Sequence, residues 1–126
     1  TPVELPHILI GNHGVRELLL AKYTMLPAYG FNTADPLLGN FTRHYNLYAS
    51  LEHERIVRTI FDDQFLAQFV QHADGMSVEL VENTLYIYTI EKHPSRVLLE
   101  RMLTFGTWIA EAADQKAELL RRPVDD

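Results

Sequence analysis

Residues 76–90 read Met76-Ser77-Val78-Glu79-Leu80-Val81-Glu82-Asn83-Thr84-Leu85-Tyr86-Ile87-Tyr88-Thr89-Ile90. Val78 and Leu80 alternate with Glu79, Leu85 and Ile87 alternate with Tyr86 and Tyr88, and Glu82-Asn83 separates the two runs. A period of two sends successive side chains to opposite faces of a strand, and a short polar break between two such runs is a tight turn. The stretch predicts an antiparallel hairpin, Met76–Val81 with Thr84–Ile90, in which Val78 and Leu85 share one face.

Immediately upstream, Asp62-Asp63 precedes Phe65, Leu66, Phe69 and Val70, an apolar stripe at helical spacing, and Gly75 follows. A helix over Asp62–His72 results, with one aspartate as its N-cap and the other in its dipole. Further back, Tyr45–Tyr48 and Arg55–Phe61 are rich in aromatic and β-branched residues and predict two strands joined by the charged turn Leu51–Glu54. Pro6–Ile10 predicts a buried strand closed by a turn at Gly11-Asn12-His13-Gly14. Arg16–Met25 carries both helix and strand signals, and Pro27–Asn40 reads as loop with one helical turn after Asp35-Pro36. Downstream, His93-Pro94-Ser95 starts a helix that runs to about Arg122, where Pro123 stops it. Together these predict one α+β domain over residues 1–126. Its mostly antiparallel sheet has about five strands, with one short helix at an edge and the long C-terminal helix across one face.

The charge pattern narrows the partners. The chain has 126 residues, 17 acidic against 11 basic, a formal net charge of −6 and no cysteine. Up to Phe61 acidic and basic residues balance, so the whole deficit lies in the second half. A negative surface repels phosphate, which argues against a nucleic-acid partner. Without cysteine, thiolate metal sites, iron–sulfur clusters and thiol nucleophiles are excluded. No run of 18 apolar residues occurs, so no membrane insertion by this segment is expected. The chain begins Thr1-Pro2 without an initiator methionine, which suggests either a trimmed methionine or, as expected here, a piece excised from a longer protein.

Motifs for chemistry are sparse. The six histidines never fall at i, i+3 or i+4 from one another, and Gly11–Gly14 lacks the spacing of a phosphate loop. No cofactor is implied. The polar residues that could assemble a small-molecule or metal site are His44, His53, Asp62 and Asp63. Tyr86 and Tyr88 share a strand face, either as a stacking platform or as packing against a helix.

The C-terminal helix is more informative. Leu98, Met102, Phe105, Ile109, Ala112 and Leu120 fall on one line at 100° per residue, with Glu100, Thr107, Glu111, Asp114 and Glu118 opposite. The flanks between are apolar as well, Leu99, Gly106, Ala110 and Ala117 on one side and Val97, Trp108 and Leu119 on the other. The first flank is a candidate interaction face for a second copy or another helix, because glycine and alanine admit close approach. Trp108 is expected to anchor the helix on its own sheet.

Three runs carry a resemblance: Phe41-Thr42-Arg43-His44-Tyr45-Asn46-Leu47-Tyr48-Ala49, then Ile60-Phe61-Asp62-Asp63-Gln64-Phe65-Leu66, then Ser77–Tyr88. Their order is similar to that in a group of uncharacterised bacterial domains, and Pro6–Ile10 resembles the opening strand of that group. The segment Gly14–Leu38 departs from it. The shared motifs are structural, and the resemblance implies a soluble domain attached to transmembrane segments elsewhere in its polypeptide, with no catalytic residue or cofactor. The expected function is a non-catalytic interaction module of a larger, membrane-anchored bacterial protein. The alternative is an enzyme domain using the His and Asp side chains named above.

Overall fold

Val81 and Thr84 close the hairpin as the alternation requires, with Glu82 at φ 51° and Asn83 at φ 64° in the turn. Two successive left-handed residues match the twist of the flanking strands, and asparagine tolerates that conformation better than most. In the computed structural model, which describes residues 5–13, 26–89 and 91–121, the hairpin belongs to a four-stranded antiparallel sheet. Its strands are β1 (Ile8–Asn12), β2 (Tyr45–Ala49), β3 (Ser77–Val81) and β4 (Thr84–Tyr88), in the order β2-β1-β3-β4. Among the described residues four α-helices accompany them: α1 (Gly39–His44), α2 (Glu54–Ile60), α3 (Asp63–Ala73) and α4 (Arg96–Arg121). The fold is α+β, with four described strands where the sequence suggested about five. The ambiguous segment Arg16–Met25 lies outside the described residues, as do Gly14, Ile90 and the helix stop at Pro123.

The register sorts the two faces. Ile8 opposes Ala49 and Leu80, Ile10 opposes Leu47 and Val78, and Val78 and Leu80 oppose Ile87 and Leu85. Opposed residues share a face, so these side chains form one apolar surface, with Val78 and Leu85 on the same side as expected. The helices cover it. Fully buried Phe41, Phe69 and Phe105 stand one from each of α1, α3 and α4. Their rings follow one another at 6.2 and 5.4 Å, and Tyr45 of β2 meets Phe69 at 5.2 Å. This aromatic row places α3 toward β2 and α4 toward β4.

Arg55–Phe61, expected as a strand, is helix α2 over Glu54–Ile60. Its buried residues Val57, Ile60 and Phe61 are three and four apart, the spacing of a helix face turned to the core. Arg58 accepts the helical geometry by bonding Glu54 one turn back at 2.9 Å. Its other end donates to the Gly30 carbonyl and sits 5.0 Å from the Tyr29 and Phe31 ring centres. Tertiary contacts of this kind override the strand preference of Ile56, Val57 and Ile60.

Both ends of α3 follow their signals. Asp62 Oδ1 accepts from Phe65 N at 2.9 Å as the N-cap, and the helix stops at Asp74 and Gly75, both with positive φ. Ser95 caps α4 through Leu98 N at 3.1 Å. Trp108 does not anchor that helix on the sheet. It stacks on His72 at 4.2 Å and meets Phe65 at 5.3 Å, so it fastens α4 to α3.

Candidate functional site

The flank of α4 that carries Gly106, Ala110 and Ala117 meets its own sheet over part of its length. A Cβ on Gly106 would come within 2.9 Å of Ile87 Cδ1, the movable end of that side chain, so glycine eases the close approach of the helix to β4. Farther along, Ala110, Ala113 and Ala117 present only methyl groups to Ile8, Ile10, Leu80 and Leu85. Methyls do not fill the space that the sheet leaves, and a cleft of about 310 Å³ remains. Phe61, Ile109, Val78 and Leu5 complete its apolar wall, while Asn83 and Asp114 supply the polar groups. Of the four residues expected to form a partner face, Ala117 is buried, Gly106 faces Ile87, and Ala110 lines the cleft. Leu99 is 48% exposed, and Leu103, which the sequence reading did not single out, is 73% exposed.

The opposite face of the sheet holds a second, polar feature. Glu79 is 0% exposed although it alternates with the apolar core residues. Its Oε1 accepts from the Tyr88 hydroxyl at 2.9 Å, and its Oε2 bonds His7 Nε2. Burial, then the Glu79 hydrogen bond and charge, push the Tyr88 hydroxyl up to about 12. Neighbouring Ser77, also 0% exposed, accepts from Asn12 N at 2.8 Å and stands in for a main-chain acceptor where β1 and β3 part. Both oxygens of Glu79 are thus engaged, which is how a buried carboxylate avoids the cost of desolvation. Tyr86 and Tyr88 lie on this face, away from the helices.

His44, His53, Asp62 and Asp63 are dispersed by role. His44 ends α1 with an exposed side chain, and His53 lies in a 3-10 turn with its Nδ1 buried and unbonded. Asp62 caps α3 and bonds Lys116 Nζ at 2.7 Å. Exposed Asp63 is raised from its ordinary value by desolvation, by a hydrogen bond to Asp35 and by the charges of Asp35 and Asp62. Among the described residues, no three His, Asp or Glu side chains are placed to hold a metal ion. None of their helices is long and apolar enough to cross a membrane. Compared with known proteins, the chain matches no family model, no curated protein and no solved structure.

The cleft escaped sequence reasoning because it is a mismatch between two surfaces. The alanines of α4 were the one visible signal. Glu79 left none, since alternation assigns it to solvent.

Proposed function

We propose that this chain is a non-catalytic binding module that takes a small, uncharged aliphatic ligand in the cleft between the sheet and α4. The observation that carries this reading is the cleft itself: about 310 Å³ walled by leucine, isoleucine and alanine side chains. That volume is at the small end of ligand sites, which run from about 300 to 1,000 Å³ and combine apolar walls with a few polar groups. Asp114 at the site and the acidic second half of the chain disfavour an anionic ligand. The same reading gives the exposed part of the α4 flank, Leu99 and Leu103, to a protein partner, either a second copy or another helix. Its resemblance to tethered bacterial domains supports a place in a larger, membrane-anchored protein. An enzyme built on His44, His53, Asp62 and Asp63 has less support, because two of the four are engaged in capping α3 and in carboxylate pairing.

Titration with the neutral dye Nile red tests the cleft. Wild-type protein should enhance its fluorescence saturably, and decanol should displace it. Ala113→Phe should fill the space and abolish both effects while the thermal transition stays within a few degrees of wild type. Dye binding that is absent from the wild type, or unchanged in the variant, overturns the assignment.

A further inference from the structure

The two edges of the sheet are treated differently. The outer edge of β2 is covered: Tyr29 N donates to Leu47 O at 2.8 Å, Ala49 N donates to Pro27 O at 3.2 Å, and Ala28 bridges Tyr48. The outer edge of β4 meets no strand among the described residues. It also lacks the devices that usually blunt an exposed edge, since Thr84-Leu85-Tyr86-Ile87-Tyr88 contains no charge and no proline.

The turn determines which groups are left over. With Val81 and Thr84 as the closing pair, Thr84, Tyr86 and Tyr88 turn their backbone groups to β3. Leu85 and Ile87 therefore turn theirs outward. Residues two apart on one strand are what an antiparallel copy of that strand can satisfy in full, because Leu85 of one copy then faces Ile87 of the other, and the converse. We propose that β4 pairs with β4 of a second copy across a two-fold axis at Tyr86, joining two sheets into one.

Three further features fit a second copy. A two-fold axis sets identical residues near one another, and an uncharged strand incurs no like-charge repulsion there. Leu85 and Ile87 of both copies would fall on the helix-covered face. α4 sits on β4 where Gly106 meets Ile87, so its exposed Leu99 and Leu103 would lie beside the joint and help to cover it. The paired edge, about 17 Å long at some 3.4 Å per residue, together with Tyr86, Leu99 and Leu103, offers on the order of 500 Å² per copy. A standard interface needs about 800 Å². Below that size the pairing falls in the weak, transient class of interface.

This inference rests on reading the chain as a contact module but not on the cleft, and its experiment separates the two. The chain has no cysteine, so Tyr86→Cys introduces a single thiol that can only oxidise against its own copy. Opposed residues in a non-bonded antiparallel pair lie at disulfide distance. Mild oxidation at about 0.2 mM protein should give a covalent dimer with Tyr86→Cys. Thr84→Cys, which faces Tyr88 of the second copy, should give no covalent dimer. Wild-type protein should sediment as a monomer–dimer equilibrium over the same range, and Leu103→Glu should weaken it at least about tenfold. A wild type that remains monomeric at about 1 mM overturns self-pairing and leaves the edge to a strand of another protein. A dimer in which Tyr86→Cys fails to cross-link, or Thr84→Cys links equally well, overturns the strand pairing while the contact-module reading stands.

Discussion

On the helix-covered side of the sheet, Ile10, Leu47 and Val78 lie under Phe41, Phe69 and Phe105. On the other side of the same strands Glu79 is buried just as fully, held by His7 and Tyr88. The first surface is closed by shape and the second by hydrogen bonds, so they should fail in different ways. Removing bulk from the first leaves a cavity, at a cost that grows with the volume left behind. Removing a partner from the second leaves a polar group without water or a bond. Burial alone therefore says little about which chemistry a position tolerates.

The largest expected effect is on the apolar side. Phe69→Ala should cost about 3–5 kcal/mol, read as a shift in the urea midpoint at unchanged m-value. Glu79→Ala should cost about 2–3 kcal/mol, because Tyr88 and His7 then lose their acceptor. Glu79→Gln, which keeps an oxygen and a similar shape, should cost distinctly less than Glu79→Ala in the same urea titration. A gain in stability from Glu79→Ala would break the comparison, by showing that the cluster opposes folding.

The third effect depends on pH. The Tyr88 hydroxyl is raised to about 12 in the folded chain, above the ordinary value of 10.0, chiefly by burial and then by Glu79. Folded protein keeps that proton where unfolded protein has lost it. Its contribution is complete below about pH 10 and is lost as pH rises toward about 12. Thermal melts of the wild type across that window should fall more steeply than those of Tyr88→Phe. The smallest effect belongs to Gly106→Ala. Alanine gains about 1 kcal/mol of helix propensity, while its Cβ must displace only the terminal methyl of Ile87. The net change should stay within about 1 kcal/mol by thermal melting, whereas Gly106→Leu should be clearly destabilising.

Much of the local structure was legible because its causes are local. The β3–β4 hairpin followed from alternation around Glu82-Asn83, the start of α3 from Asp62, and the start of α4 from Ser95. Arg55–Phe61 was misread because a short run with β-branched residues fits either element until its neighbours are known. The supports of α2, from Arg58 to Gly30, Tyr29 and Phe31, come from 27 to 29 positions away in sequence. The α4 flank was legible as small and apolar, but not as facing its own sheet.

By itself, the sequence of this protein determined the strand faces, the helix caps and the amphipathic stripe of α4, since each depends on residues within one or two turns of chain. Only the tertiary structure decided that Glu79 would be buried between His7 and Tyr88, that Trp108 would meet α3, and that alanines opposite Ile8 and Leu80 would leave a cleft. Those outcomes depend on distances between elements far apart in the chain. Such distances are set by how whole surfaces fit together, and no period or propensity along one segment encodes them.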